Sequence, residues 1–249
     1  ALPNWLKGVI GFLAVVALWE LLTVTVASGQ RVWPSPWSIV TLIWQDGWSF
    51  YWPNIETTLW EAARGFLWGN LLAIVLALLV MILPIIERPL VQLSVVSYCL
   101  PIVALAPIFT ALWSGETPKV MLAAMAVFFT TLIGMLVGLR SADATSLDLV
   151  HAYGGGRFAR LFKVRAWACL PSLFAALRIA APAAVLGAII GEYLGGFQGL
   201  GVAMIVSEQS LDVTRTWGIA LVSTAIGSLG YVAMSLLGRL ATPWTRRAS

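Results

Sequence analysis

The sequence predicts an all-α integral membrane protein with six transmembrane helices. Three observations carry that prediction: the overall composition, six long apolar runs, and the absence of alternating strand patterns. Of 249 residues, 60% are hydrophobic and only 10% charged, with a mean hydropathy of +0.90. Soluble domains average roughly 45–50% apolar and about 25% charged. A soluble globule of this length has too little interior for so much apolar surface and too few charges to coat its outside. A soluble enzyme, a disordered chain and a secreted disulfide scaffold are excluded on the same ground.

A helix crossing a roughly 30 Å hydrocarbon core needs about 20 apolar residues. Six segments meet that requirement, at about 8–28, 62–86, 89–114, 120–139, 170–191 and 216–238. No charge occurs between Phe66 and Ile86, or from Pro89 to Gly115. Continuous runs of this kind exclude a β-barrel, whose strands alternate in short segments. The first run is too long, and its flank too weakly basic, for a cleaved signal peptide. The sequence begins at Ala1, so further N-terminal residues are expected to precede it.

Lys and Arg set the expected orientation, because they concentrate in cytoplasmic loops. With the N-terminus inside, the inner segments hold Lys7, Arg88, Arg140, Arg157, Arg160, Lys163, Arg165, Arg239, Arg246 and Arg247, and the outer ones only Arg31, Lys119 and Arg215. Both termini are therefore expected in the cytoplasm. Half of the inner cations fall in one loop at about 140–169, where soluble machinery should dock. The net charge of +4 does not point to nucleic acid, since the cations lie in loops between spans rather than on one soluble face.

The outer segment 29–60 is rich in tryptophan. Trp44, Trp48 and Trp52 recur every four residues, which on a helix makes one aromatic stripe. Two readings stand: indoles at headgroup depth on a surface helix, or an aromatic cage for a substrate. Trp33-Pro34-Ser35-Pro36 reads as a stiff extended lead-in to that helix. These features separate residues 1–54, the first span with its tryptophan-rich segment, from a core transmembrane domain at 55–245.

Ionisable residues inside spans are candidates for the translocation path, because a charge at the helix centre costs about 2.5–3.5 kcal/mol on insertion scales. Glu20, Arg64, Arg178 and Glu192 are the candidates. Each also has a purely structural reading. Glu61 and Arg64 are three apart and so placed to pair with each other. Arg178, about two turns into the fifth span, has the reach to snorkel. Glu20 has no partner on its own helix. Small-xxx-small pairs at Gly65/Gly69, Gly134/Gly138, Gly187/Gly191 and Gly191/Gly195 imply tight helix packing.

No catalytic set or metal site is expected. The chain has no G-x-x-x-x-G-K-[ST] and no H-E-x-x-H. Cys99 and Cys169 lie far apart with no C-x-x-C spacing, and His151 is the only histidine. Gly154-Gly155-Gly156 follows polar residues rather than a buried strand, with no Lys-Ser/Thr after it.

The inner loop carries helix–turn–helix punctuation. Asp143 to Tyr153 is helix-compatible, with Leu147, Val150 and His151 on one side. The triple glycine breaks the helix, since glycine alone adopts positive φ freely. Arg157 to Trp167 resumes at helical spacing, with Phe158, Leu161, Phe162 and Arg165. Such a knob of interleaved basic and apolar residues is suited to a partner's groove.

The loop resembles the EAA loop of binding-protein-dependent ABC transporter permeases. Asp148 stands in the acidic position, Gly154 on the glycine and Val164 on the aliphatic position. Leu170-Pro171 and Leu177-Arg178-Ile179-Ala180 are similar to the segment that follows the loop. Leu100-Pro101, Ala104-Leu105-Ala106-Pro107, Trp113-Ser114-Gly115, Lys119, Phe128-Phe129, Gly191-Glu192 and Gly199-Leu200-Gly201 extend the likeness. The ordered set resembles the nitrate/sulfonate/taurine/bicarbonate subgroup. Leu149 and Val150 replace the two small residues of the motif, Asp replaces Glu, and Ala166-Trp167 replaces a Leu-Pro, which implies a co-diverged ATPase partner.

The resemblance implies a type I ABC importer permease fold in a bacterial cytoplasmic membrane. It implies a second permease copy as a homodimer, two cytoplasmic ATPase subunits and an extracytoplasmic solute-binding protein. ATP and magnesium would be bound by the ATPase, and the chain itself would be no enzyme and carry no cofactor. The expected coupling residues are Asp148, His151, Ala152, Gly154, Gly155, Arg157, Phe158 and Phe162. The expected solute is a small anion such as nitrate, a sulfonate, taurine or bicarbonate. The rival readings are an ATP-independent channel or ion-coupled carrier, and an intramembrane enzyme using His151.

Overall fold

The computed structural model describes residues 3–25 and 33–244. Arg31, Arg246 and Arg247 of the orientation argument lie outside the described residues. Every regular element among the described residues is a helix or helical turn: α1 (Asn4–Thr25), α2 (Pro36–Ile82), a 3₁₀ turn (Pro84–Ile86), α3 (Glu87–Cys99), α4 (Ile102–Leu112) and α5 (Thr117–Arg140), then α6 (Ala144–Ala152), α7 (Arg157–Arg160), a π-turn (Leu161–Arg165), α8 (Ala166–Gly195), α9 (Leu200–Gln209) and α10 (Val213–Ala241). Among the described residues five are long and apolar enough to cross a membrane, or six where the bent pair α3–α4 counts as one span.

Two departures from the expected spans have local causes. The run at 89–114 is bent by 96° between α3 and α4. Pro101 crowds the residue before it, and Leu100 takes an extended conformation (φ −68°, ψ 129°) that no α-helix continues through. The tryptophan-rich segment is split by a kink at Gly47: residues 36–46 form a helix of their own, while from Trp48 the helix runs on into the second span, the two together being numbered α2. Ser35 caps it, its hydroxyl accepting from the Ser38 N–H at 3.1 Å, and Pro36 opens it. Gly47 interrupts it at φ 68°. The aromatic stripe is therefore divided: Trp44 lies before the kink, 87% exposed, while Trp48 and Trp52 stack beyond it at 5.0 Å.

Helix α5 lies between α2 and α8, and glycine makes that possible. A Cβ at Gly65 or Gly69 would strike Ala123 or Ala124 of α5, and one at Gly187 would lie 2.7 Å from the Ala123 Cα. At Gly134 a Cβ would lie 2.5 Å from that of Ala176 in α8. In lipid, where helices gain little from hiding apolar surface from one another, such close backbone approach supplies the packing energy. All four small-residue pairs are thus used inside this chain. Helix α1 is the exception, with none of its span buried and Trp19 meeting Trp217 at 5.2 Å.

Candidate functional site

Chemistry-bearing residues collect at opposite ends of the bundle: the loop between α5 and α8, and a buried polar cluster where α2, α5 and α8 meet α9.

The loop is assembled from short-range devices. Asp143 (φ −59°, ψ 131°) caps α6 by accepting from the Ser146 N–H at 2.9 Å and the Ser146 hydroxyl at 3.1 Å. The backbone bond, then the hydroxyl, hold its carboxyl below the usual aspartate range. At the other end of α6 the Tyr153 N–H reaches the Leu149 carbonyl. The Gly154 N–H donates to the His151 carbonyl at 2.9 Å, and the Gly155 N–H to that of Val150 at 2.8 Å. Gly154 sits at φ 79°, so the break falls where the triple glycine predicts it.

In the second limb Leu161 is 3% exposed, whereas Phe158 and Phe162 stand 61% and 58% exposed, so they do not share a side with it. Beyond Leu161 the limb passes through a π-turn at Leu161–Arg165, whose Ala166 N–H reaches back five residues to the Leu161 carbonyl. On α6, Leu147 and Val150 turn inward, while Asp148 and His151 are exposed. Gly154, Arg157 and Ala152 are exposed as well, and Gly155 is half-buried against Val150. With Tyr153 at 85% and Leu149 at 58% exposed, the loop presents a basic and aromatic knob.

The four path candidates do not converge. Glu20 is half-buried on α1 beside Trp19. Arg64 pairs with Glu116 rather than with Glu61, and lies over the Trp60 ring at 4.5 Å. Arg178 is exposed and lines a cavity of about 490 Å³ between α8 and α10, together with Tyr231 and Arg239. Glu192 is 1% exposed and enclosed.

Around Glu192 lies a cluster that sequence reasoning missed. Its carboxylate accepts from the Thr58 hydroxyl at 2.7 Å and from the Gly201 N–H at 2.8 Å. The Thr58 oxygen in turn accepts from the Leu200 N–H at 3.0 Å, and the Asn54 amide oxygen from the Gly199 N–H at 3.2 Å. Beside it, Glu61 faces Lys119 at 3.1 Å, with side-chain exposures of 1% and 6%. Gly199, at φ 124°, packs its α-carbon onto the Glu192 carboxylate, where a Cβ would collide. Two carboxyl groups and one ammonium, taken out of water together, tie three spans and the α8–α9 turn into one unit. Glu61 and Arg64 sit one helical turn apart and suggest each other as partners, whereas the true partners come from α5 and the turn before it. The sequence signals for the cluster were Lys119 and Gly199-Leu200-Gly201. Among the described residues no group of His, Cys, Asp and Glu is placed to hold a metal ion.

Residues 69–247 match the family model described as the binding-protein-dependent transport system inner membrane component. The chain is 29% identical to the formylaminopyrimidine transport permease protein of Halalkalibacterium halodurans, over 95% of its own length and 94% of the relative's. It is 33% identical to the riboflavin transport system permease protein of Chloroflexus aurantiacus, over 64% and 60% of the two lengths. A putative aliphatic sulfonates transport permease protein of Bacillus subtilis is 24% identical over 97% and 88%.

Proposed function

This chain belongs to the binding-protein-dependent transport system inner membrane components, and from that membership we propose that it is the permease subunit of an ATP-driven importer. It is a multi-pass inner-membrane protein with apolar spans enough to build half of a translocation path. The α6–α7 knob is the handle. Seated in a cytoplasmic ATPase, it would transmit closure of the ATPase dimer to α5 and α8, which it joins directly. ATP and magnesium belong to that partner, and a second copy of this chain completes the path. The orientation with both termini in the cytoplasm puts the knob on the ATPase side and the α8–α9 turn on the side of an extracytoplasmic solute-binding protein.

The observation that carries the reading is the exposure of Tyr153, Phe158 and Phe162 on a loop that is stiff by construction. Large aromatic side chains held outward on a capped, glycine-hinged support fit a partner's groove. A lever of this kind transmits force only if its own backbone is fixed, and the Asp143 cap and the turn bonds fix it. Asp148, Gly154, Arg157 and Phe158 are assigned to the contact.

The solute is read as a small organic molecule, selected mainly by the binding protein. The relatives are named for a formylaminopyrimidine, riboflavin and aliphatic sulfonates, which are all organic solutes and have no one charge in common.

Reconstitution tests the proposal. Vesicles holding the permease with its ATPase should take up solute only with binding protein outside and ATP inside. Uptake at the same rate by the permease alone would overturn it in favour of an ATP-independent carrier.

A further inference from the structure

Beside the knob, at the same end of the bundle, four arginines surround one cavity of about 390 Å³: Arg140, Arg157, Arg160 and Arg165. Glu87 lines it too and is taken by Arg140. Arg165 contacts the Met81 sulfur at 3.2 Å, not an anion. Neither Arg157 nor Arg160 has an ion pair among the described residues. The cavity therefore gathers three positive charges with no counter-charge.

The π-turn builds this arrangement. On a regular α-helix, residues five apart point about 140° away from each other. The i→i+5 bond from Ala166 to Leu161 widens the turn and brings Arg160 and Arg165 to the same cavity. Depth is fixed by the neighbours. Arg140 is the last residue of α5, Arg165 immediately precedes α8, and Met81 lies next to the end of α2. Three span ends meet there, which is the level of lipid headgroups.

We infer that this cavity binds the phosphate-bearing headgroup of an anionic phospholipid. Guanidinium groups bind phosphate through two parallel hydrogen bonds and are the side chain of choice for that task. Basic pockets between spans at the cytoplasmic surface are suited to such headgroups. A headgroup here would splint Arg157 and Arg160 of the second limb to the ends of α5 and α8, so that bilayer charge stiffens the lever. The leaflet rests on the orientation proposed above; the site itself does not, and loss of lipid retention would leave ATP-driven uptake to be judged separately.

The test uses the permease–ATPase complex in nanodiscs of phosphatidylcholine, with and without phosphatidylglycerol, read by native mass spectrometry. The complex should retain phosphatidylglycerol preferentially. Arg160→Gln with Arg165→Gln should weaken retention roughly thirtyfold, at about fivefold per charge removed. Arg160→Lys with Arg165→Lys should keep most of it, and Lys163→Gln, on the same turn but outside the cavity, should leave it unchanged. The lysine pair and single Arg165→Gln carry the test if the double glutamine variant does not assemble. Retention indifferent to headgroup charge, or unchanged in the glutamine variants, would overturn the inference. So would release of the lipid by inorganic phosphate, which makes this a free-anion site, or retention by the lone permease that vanishes when the ATPase docks, which makes it a protein contact.

Discussion

The two ends of this bundle solve opposite problems. At the α8–α9 end, polar groups are enclosed and answered: Glu192 by Thr58 and Gly201, Glu61 by Lys119, and Gly199 by Asn54. At the knob, the polar and aromatic groups are exposed, and the partners within the chain are almost all backbone atoms of the loop itself. The first arrangement stabilises the fold at the cost of desolvating charge. The second keeps its contact surface open and spends hydrogen bonds only on shape. Substitutions at the closed end should therefore read out as stability, and those at the open end as loss of coupling in a protein that still folds.

Removing Lys119 gives the sharpest test of that contrast. Lys119→Met leaves two enclosed carboxyls without their cation, and breaking a buried pair in this way costs about 3–5 kcal/mol. Thermal unfolding of the purified protein should fall accordingly, with Glu61→Gln in the Lys119→Met background recovering part of the loss. Equal damage in the single and double variants would mean that packing, not charge, holds this end.

Gly154→Val comes next. A β-branched residue at φ 79° is strained by about 1–2 kcal/mol, a modest local cost. Stimulation of ATP hydrolysis by the binding protein should nevertheless be lost. Full stimulation would remove the knob from the coupling path and dissolve the contrast.

Phe158→Ala should leave unfolding within about 0.5 kcal/mol, as surface changes usually do. It should weaken the permease–ATPase association about tenfold or more, as loss of an aromatic anchor does. Pull-down titration of the ATPase measures this.

The smallest effect concerns Asp143. Its folded carboxyl titrates below the unfolded value, so the capping contribution is complete above the ordinary aspartate range and is lost as pH falls through the folded value. Hydrogen-exchange protection factors in α6, corrected for the intrinsic pH dependence of amide exchange, should fall on acidification across that window. Asp143→Asn should keep the cap and abolish the pH dependence.

How far these ends were readable from the sequence follows from the range of the forces that make them. The knob depends on contacts a few residues long, and its two helical limbs and its glycine break were legible. The π-turn was not, because a single widened turn leaves the hydrophobic spacing nearly intact. The Pro101 bend had a local signal that the unbroken apolar run outweighed. The Glu61–Lys119 pair spans 58 positions and exists because Gly65 and Gly69 let α2 lie against α5, which no local spacing records.

One further feature reaches outside the membrane. From Trp48 to Ile82, at 1.5 Å per residue, α2 measures about 50 Å, longer than a bilayer of about 40–45 Å with its headgroups. In the proposed orientation, and with α2 upright, the surplus would stand above the outer surface as a fixed rampart, with Gly47 turning the arm before it aside. An arriving delivery protein would thus land on a prebuilt rim and would not have to freeze a floppy one, so docking would be fast even where the grip is weak.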